Sequence, residues 1–282
     1  MKKLLTILCL CPFLLHAQSG KVMDNLKINS KILKMERNYA VYLPPGYETS
    51  ERSYPVLYLL HGATDNHTGW VQFGEVLHIT DKAIADGTAT PMIIIMPDAD
   101  TEVMGYYNVP DWNYEDFFFT ELIPHVEKEY RIKATKRFRA VAGLSMGGGG
   151  SFMYALRHPE MFSSACPLSA YIGPLTLEQT NSSLKRTIPE VTDAQVEAYF
   201  NNYNALNLLA KADVDDVKSV KWYIDCGDDD FLYEGNSLMH IEMRKKNIPH
   251  EYRVRDGAHN WTYWRTALPE VLSFVSDSFH QK

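Results

Sequence analysis

The 282-residue sequence has few cysteines, no long apolar segment and no cluster of basic residues. Two of its four cysteines lie in the N-terminal apolar run, and the other two, Cys166 and Cys226, are too few for a disulfide framework. Both lie in apolar, strand-like runs that favour buried free thiols over a disulfide. The longest apolar run, LLTILCLCPFLL, is shorter than the about 20 residues that a transmembrane helix needs. Acidic residues outnumber basic ones by 35 to 28, which argues against nucleic acid or an anionic membrane as a partner.

The N-terminal residues have the pattern of a secretory signal peptide. A basic start, MKK, precedes the apolar run, and HAQ ends it at a small residue, so we expect cleavage near Ala17. The alternatives are an uncleaved N-terminal anchor and a lipoprotein signal at Cys9, although the preceding residues TIL do not resemble a lipobox. Loss of residues 1–17 changes the formal net charge from −7 to −9. We therefore expect a secreted or periplasmic protein without stable membrane insertion.

The rest of the chain alternates between strand-like and helical patterns. The segments LKINSKILK and RNYAVYLPP alternate in polarity and predict an N-terminal antiparallel strand pair. Further apolar runs predict strands at YPVLYLLHG, PMIIIMPDAD, RFRAVAG, FSSACPLSA, VKWYIDCG and HEYRVRDG. Because helical patterns separate these runs and no flexible linker divides them, we expect one α/β domain over residues 18–282. Its sheet is expected to be mostly parallel, with helices on both faces.

Two helical segments carry further information. In NYEDFFFTELIPHVEKEY, Phe118 and Val126 share one helical face, and Asn113 with Asp116 has the spacing of a capping box. Residues 171–211 are more than one crossover connection requires. Their pattern predicts either a helical cap over the carboxyl edge of the sheet or an ordinary pair of surface helices.

The segment AVAGLSMGGGG contains a G-x-S-x-G pattern between a buried strand and a helical segment. This context is typical of a tight turn that lifts a nucleophilic serine above the edge of the sheet, at the start of a helix. Glycine is needed at positions 143 and 147 because side chains there would collide within the turn. We therefore predict Ser145 as the nucleophile, with a positive φ; the alternative is a glycine-rich turn with an unrelated serine.

A serine nucleophile needs a base and an acid, which in such proteins follow it in the order Asp or Glu, then His. The loop after VKWYIDCG offers Asp228, Asp229 and Asp230, and these residues could instead form a calcium site. The loop after HEYRVRDG carries His259, which is the candidate base unless it is an ordinary solvated histidine. His61 is expected to hold its own loop through hydrogen bonds.

Two backbone N–H groups are candidates for an oxyanion hole. Met146 directly follows the predicted nucleophile, and Ala63 lies in the loop LLHGATDNHTGW after an earlier strand. Removal of one such donor costs about 3–4 kcal/mol of transition-state stabilisation. This chemistry requires neither a metal ion nor an organic cofactor.

Together these motifs resemble the esterase-D-like family of α/β-hydrolases, which includes feruloyl esterases, S-formylglutathione hydrolases and mycolyltransferases. The resemblance rests on VYLPPGY, YPVLYLLHG, YEDFFFTELIPHVEKEY, AVAGLSMGGGGSFMYALRHPEMF, DCGDDDFL and GAHNWTYWRTALP, and it is weakest over residues 171–211. It implies the α/β-hydrolase fold, Asp230 as the acid, His259 as the base, and oxyanion donors at Ala63 and Met146. It also implies that similar secreted relatives act on plant cell-wall esters.

The predicted function is a secreted serine carboxylesterase that acts through an acyl-enzyme on feruloyl or acetyl esters of xylan-type polysaccharide. Aromatic rings stack on phenolic groups and sugar faces, so Tyr107, Trp112, Trp261 and Trp264 are candidate substrate contacts, with core packing as the alternative for Trp264. A short-chain esterase and an acyltransferase of the same fold are alternatives. A non-catalytic carbohydrate-binding protein is the alternative from another class. The sequence predicts no particular oligomeric state.

Overall fold

An eight-stranded sheet organises the fold in the computed structural model, which describes residues 19–99 and 105–280. The predicted signal peptide, residues 1–17, lies outside the described residues. The strands are β1 (Lys21–Ser30), β2 (Met35–Leu43), β3 (Val56–Leu60), β4 (Ile93–Pro97), β5 (Asn108–Val109), β6 (Trp112–Asn113), β7 (Arg139–Leu144), β8 (Ser164–Leu168), β9 (Lys221–Gly227) and β10 (Glu251–Arg255). The main sheet has the order β1-β2-β4-β3-β7-β8-β9-β10, and β5 pairs with β6 in a separate hairpin.

Helices fill the connections between the strands. They are α1 (Gly69–Gln72), α2 (Val76–Ala85), α3 (Tyr114–Phe117), α4 (Ile123–Glu129), α5 (Met146–Arg157), α6 (Leu177–Thr187), α7 (Asp193–Tyr203), α8 (Ala205–Lys211), α9 (Val214–Lys218), α10 (Tyr233–Lys245) and α11 (Trp261–Phe279). A π-helical turn, Phe118–Leu122, joins α3 to α4. Within the part of the chain that the structure describes, no helix combines the length and apolarity needed to cross a bilayer.

The central strands are buried on both faces, so the sheet separates two apolar cores. In β3, Tyr58 and Leu60 belong to one core, while Leu57 and Leu59 belong to the other. Helices α3, α4, α5, α8 and α10 cover the first face, and α2 and α11 cover the second. This arrangement confirms the predicted α/β architecture, because continuous apolar runs are what a doubly covered parallel sheet requires.

The strand directions also follow the prediction. β1 and β2 form the expected N-terminal antiparallel pair, and β2 joins β4 in antiparallel pairing. From β4 through β3 and β7 to β10, all neighbouring strands are parallel. The carboxyl ends of these parallel strands therefore meet at one edge of the sheet, where α/β folds place their ligands.

The helix predicted from residue 113 forms, but its predicted N-cap is wrong. Phe118 and Val126 are fully buried, as the helical periodicity requires. The side chain of Asn113 makes no capping hydrogen bond. Instead, Asn108 Oδ1 accepts the backbone N–H of Asp116 at 3.2 Å, and the Asn108 amide donates to the Asp116 carboxylate at 2.9 Å. A residue from the preceding β5–β6 hairpin thus does the capping, which local spacing could not indicate.

Candidate active site

Ser145 lies in a strained turn between β7 and α5. Its φ is 55° and its ψ is −115°, a conformation that costs a non-glycine residue about 1–3 kcal/mol. The backbone N–H of Ser145 donates to the Leu168 carbonyl at 2.9 Å, which ties the turn to the end of β8. A Cβ on Gly147 would lie 2.6 Å from the backbone oxygens of Leu60 and His61, so only glycine permits this approach of α5 to β3. The turn therefore has the geometry that its glycine pattern predicts.

Ser145, His259 and Asp230 form a hydrogen-bonded chain. The distance from His259 Nε2 to Ser145 Oγ is 2.9 Å, and His259 Nδ1 lies 2.9 Å and 3.0 Å from the two carboxylate oxygens of Asp230. Because a carboxylate can only accept, Nδ1 carries the proton and Nε2 is left as the acceptor for the serine hydroxyl. The structure thus brings together the three residues that the sequence analysis selected, from loops far apart in the chain.

Asp230 is held as a carboxylate although it is almost completely buried. Burial by itself would raise the pKa of Asp230, but hydrogen bonds from His259, from the backbone N–H of Leu232 and from Ser169 outweigh burial and hold the pKa below its usual value. An ionised carboxylate at this position orients the imidazole and stabilises its protonated form.

Ser169 and Trp264 form a buried layer behind the Asp230 carboxylate. Trp264 Nε1 donates to Ser169 Oγ at 3.0 Å, and the Trp264 ring meets the His259 ring edge-on, with centroids 4.9 Å apart. Ser169 has a positive φ of 44° directly after β8. The sequence analysis did not select Ser169; its place after a strand that ends at the same edge was the available signal.

The other carboxylates near Asp230 have different partners. Asp225 accepts hydrogen bonds from Arg255, and Asp228 Oδ1 accepts the backbone N–H of Gly257 at 3.0 Å. Asp228, Asp229 and Asp256 are exposed, and one oxygen from each lies within 4.8 Å of the others. Of the three predicted candidates Asp228, Asp229 and Asp230, the structure therefore places Asp230 in hydrogen-bond contact with His259.

The loop after β3 lies against Ser145 and the first turn of α5. A Cβ on Gly62 would lie 3.3 Å from Ser145 Cβ, and Ala63 lines the same cavity as Ser145 and Met146. The loop is fixed by His61, whose Nδ1 donates to the Gly62 carbonyl at 2.8 Å and whose Nε2 accepts the Ala99 N–H at 3.0 Å. Burial lowers the pKa of His61 to about 4, so its ring is neutral and holds this pattern above that pH.

A cavity of about 570 Å³ opens beside Ser145. Its wall combines the nucleophile turn with the loop after β3, the α6–α7 region and the segment after Asp230. The lining residues are Ala63, Tyr107, Ser145, Met146, Tyr171, Pro174, Thr180, Ser183, Arg186, Tyr199, Phe231 and Leu232. Residues 171–211, for which a cap was one of two expectations, thus supply much of one wall through α6 and α7.

The structure buries two of the four predicted aromatic contacts, Trp112 and Trp264, outside the lining of the cavity. Tyr107 lines the cavity, but Trp112, Trp261 and Trp264 do not. Trp112 is buried, stacks on Tyr114 and donates to the Gly105 carbonyl at 2.8 Å.

Of the remaining two tryptophans, Trp264 packs inside the protein and Trp261 is half-buried. Trp264 is 5 % exposed and lies behind the Asp230 carboxylate, and Trp261 packs edge-on against Trp70 with centroids 5.1 Å apart. Their place on α11 directs them toward neighbouring helices and the sheet. The aromatic wall comes instead from Tyr171, Tyr199 and Phe231, which the sequence analysis did not select.

A protein-family model named Esterase matches residues 30–275, which is most of the chain. The chain belongs to this esterase family. A solved ferulic acid esterase superposes with a TM-score of 0.83 at 38% sequence identity, covering 93% of this chain and 99% of that one. An S-formylglutathione hydrolase from Staphylococcus aureus has a TM-score of 0.73 at 23% identity, covers 91% and 99% of the two chains, and shares the α/β-hydrolase fold.

One curated relative is a much longer protein. Over 240 residues, this chain is 41% identical to an endo-1,4-beta-xylanase/feruloyl esterase of Xylanibacter ruminicola. The match covers 82% of this chain and 28% of that relative. The chain thus spans little more than a quarter of the length of the relative.

Proposed function

We propose that this protein is a serine carboxylesterase that hydrolyses hydroxycinnamoyl esters of plant cell-wall carbohydrate outside the cytoplasm. The observation that carries the proposal is the chain of hydrogen bonds from Ser145 Oγ through His259 to Asp230, beside an aromatic cavity. The feruloyl esterases among its relatives support the acyl group, and the N-terminal signal pattern supports export.

In the proposed mechanism, Ser145 attacks the ester carbonyl while His259 Nε2 accepts its proton. The backbone N–H groups of Met146 and Ala63 stabilise the negative charge that develops on the carbonyl oxygen. The imidazolium then donates its proton to the leaving alcohol, and an acyl-enzyme remains on Ser145. Water, activated by the same histidine, attacks the acyl-enzyme and releases the acid. Asp230 orients the imidazole throughout and stabilises its charge.

The shape and chemistry of the cavity favour a flat phenolic acyl group over a short aliphatic one. Tyr107, Tyr171 and Tyr199 present aromatic surface close to the nucleophile. Aromatic pairs contribute about 0.5–1.5 kcal/mol beyond the burial of their area.

Substitution of the nucleophile tests the mechanism. Ser145→Ala is expected to reduce kcat for aryl and alkyl esters by about 10⁴–10⁶, because the acyl-enzyme can no longer form. The protein is expected to remain folded, as judged by circular dichroism and thermal unfolding. Ser53→Ala, an exposed serine before β3, is the matched control and is expected to retain full activity. A folded Ser145→Ala protein that keeps a tenth of the wild-type activity would exclude the serine mechanism.

A panel of esters tests the acyl group. With one leaving alcohol throughout, kcat/KM is expected to be higher for feruloyl and coumaroyl esters than for acetyl and butyryl esters. The reason is that only the aromatic acyl groups fill the tyrosine-lined cavity. A preference for acetyl or butyryl would identify a short-chain esterase instead, with the same catalytic residues. Product analysis with and without an added sugar distinguishes hydrolysis from acyl transfer.

A further inference from the structure

The loop that carries His259 has no helix or strand of its own. It covers residues 256–260, between the end of β10 at Arg255 and the start of α11 at Trp261. The imidazole nevertheless lies 2.9 Å from Ser145 Oγ on one side and 2.9 Å from Asp230 Oδ2 on the other. Because a small displacement of a catalytic group lowers the rate steeply, the contacts that fix the two ends of this loop affect catalysis.

Both ends of the loop bind one buried carboxylate. Asp225 lies on β9 and is fully buried, and the proposed mechanism does not use it. Arg255, the last residue of β10, donates to Asp225 Oδ2 from Nη2 at 3.0 Å and from Nε at 3.2 Å. Tyr263, in the first turn of α11, donates its hydroxyl to Asp225 Oδ1. Residues 255 and 263 lie on either side of His259 in the chain, so one side chain of β9 joins the two ends of its loop.

Tyr263 also contacts the backbone of the loop. Gly257 has a φ of 143°, and a Cβ at this position would lie 2.6 Å from Tyr263 Cδ2, so the ring packs directly against the loop two residues before His259. The Arg255 guanidinium lies over the same ring, 4.6 Å from its centroid. Burial raises the pKa of Tyr263, and the hydrogen bond to Asp225 raises it further, so the hydroxyl remains a donor at neutral pH.

A third donor to the same carboxylate has no contact with the loop through its hydroxyl. The Tyr223 hydroxyl donates to Asp225 Oδ2 at 2.7 Å, but Tyr223 lies on β9 itself, two residues before Asp225. A buried carboxylate is costly to leave without partners, so the hydrogen bonds from Tyr223 and Tyr263 both stabilise the folded protein. Of these two hydrogen bonds, the one from Tyr263 reaches the element that follows the His259 loop.

We propose that Asp225 is a positioning residue for catalysis, which holds the two ends of the His259 loop through Arg255 and Tyr263. The carboxylate fixes the end of β10 relative to the first turn of α11, and the five residues between them then keep the imidazole in line with Ser145. The proposal rests on the proposed function, because it takes His259 to be the base for Ser145. It adds a second buried aspartate on whose contacts the reaction depends.

Two tyrosine variants separate positioning from general packing. Tyr263→Phe and Tyr223→Phe each remove one buried hydroxyl from the same carboxylate, so both are expected to lower the melting temperature by a similar amount. Tyr263→Phe is expected to lower kcat about tenfold and to leave KM within about twofold of the wild-type value, because the base is displaced while the cavity is unchanged. Tyr223→Phe is the matched control and is expected to keep kcat within about twofold of wild type.

The proton on His259 Nδ1 gives a readout that does not depend on turnover. Its hydrogen bond to Asp230 is expected to produce a low-field resonance in the proton NMR spectrum of protein with isotopically labelled histidine, and loss of that resonance in Asp230→Asn assigns it. The resonance is expected to broaden or disappear in Tyr263→Phe and to persist in Tyr223→Phe.

The outcomes distinguish the positioning role from the proposed function. Equal kcat values for the two tyrosine variants, or a resonance that Tyr263→Phe leaves unchanged, overturn the role of Asp225, while ester hydrolysis by the wild-type protein still supports the esterase. Absence of ester hydrolysis by the wild-type protein overturns the proposed function. The resonance then decides by itself whether the contacts of Asp225 hold His259 against Asp230.

Discussion

The loop after β9 shows how position gives three neighbouring aspartates different partners. Asp230 is buried and accepts from His259, whereas Asp228 is exposed and accepts the backbone N–H of Gly257. The Asp229 backbone N–H donates to the Gly257 carbonyl at 3.1 Å, so the first two residues bind the loop after β10 while the third reaches the imidazole. The identity of the side chain is the same in all three cases, and the turn of the backbone makes the difference.

Amide substitution of the three aspartates tests this assignment. Asp230→Asn is expected to lower kcat about 10⁴-fold, because an amide can no longer hold the proton on His259 Nδ1. Asp228→Asn and Asp229→Asn are expected to have small effects, since an asparagine carbonyl at position 228 can still accept the Gly257 N–H. Steady-state kinetics on the three proteins is the measurement. An inactive Asp228 or Asp229 variant beside an active Asp230 variant would move the acid to another position.

At the scale of elements, one buried carboxylate ties α7 to the rest of the domain. Glu115 on α3 accepts from Arg157 at 2.7 Å, from His158 at 3.0 Å and from the Tyr203 hydroxyl at 3.3 Å. Tyr203 ends α7, and the same helix supplies Tyr199 to the cavity wall. The Glu115 network therefore supports the helix that forms one side of the candidate site.

The network makes stability depend on pH in the acid range. Burial alone would raise the pKa of Glu115, but hydrogen bonding and charge from His158 and Arg157 outweigh it and lower the pKa below its ordinary value of 4.5. A carboxylate with a lowered pKa in the folded state stabilises the protein above the unfolded pKa, and this contribution is lost as pH falls through the lower, folded pKa. We therefore expect the free energy of unfolding to decrease below about pH 4.5.

Glu115→Gln isolates this contribution. The substitution leaves buried hydrogen-bond donors and the partly exposed Arg157 charge without their carboxylate, so the free energy of unfolding at pH 7 is expected to decrease by about 2–3 kcal/mol. The decrease should shrink as pH falls, because the wild-type carboxylate is itself protonated there. Urea unfolding from pH 7 to pH 3 is the measurement, with Glu197→Gln as the exposed control on α7. An equal difference between Glu115→Gln and wild type at every pH would contradict the assignment.

At the scale of the whole molecule, the two cysteines in the described residues are buried and so are protected from the reactions of exposed thiols. Cys166 on β8 and Cys226 on β9 are both free and buried. Burial raises the pKa of Cys226 to about 12 and that of Cys166 well above its usual value, so neither forms a thiolate at neutral pH. The fold therefore depends on its two apolar cores and needs no disulfide between these residues.

Thiol titration tests this account of the whole fold. A chain that begins at residue 18 is expected to show no rapid reaction with a thiol reagent in the native state, because both sulfurs are buried. After unfolding in guanidinium chloride, both thiols should react. Reductant should change neither esterase activity nor the melting temperature. Rapid native-state reaction would contradict the burial, and absence of reaction after unfolding would reveal a disulfide.

The sequence alone was sufficient for the features that depend on local sterics and local polarity. Apolar runs bounded by turns predicted β3, β4 and β7 to β9, because strands covered on both faces have few polar positions. The G-x-S-x-G spacing predicted the strained turn at Ser145, since Gly147 has no room for a Cβ. Parallel strands end at one edge, which is why Ser145 and His259 could be expected to meet.

Only the tertiary structure decided which side chains form the walls of the site. Trp264 follows His259 closely in the chain, yet packing of α11 buries it behind Asp230, while Tyr199 reaches the cavity from α7. The residues by themselves left Asp228, Asp229 and Asp230 as candidates, and the contact of Asp230 with His259 depends on how the loops after β9 and β10 pack together. The position of Ser169 behind Asp230 depends in the same way on the loop after β8. The physical reason is that a local pattern encodes the conformation of a segment, whereas a cavity wall is set by contacts between segments distant in sequence.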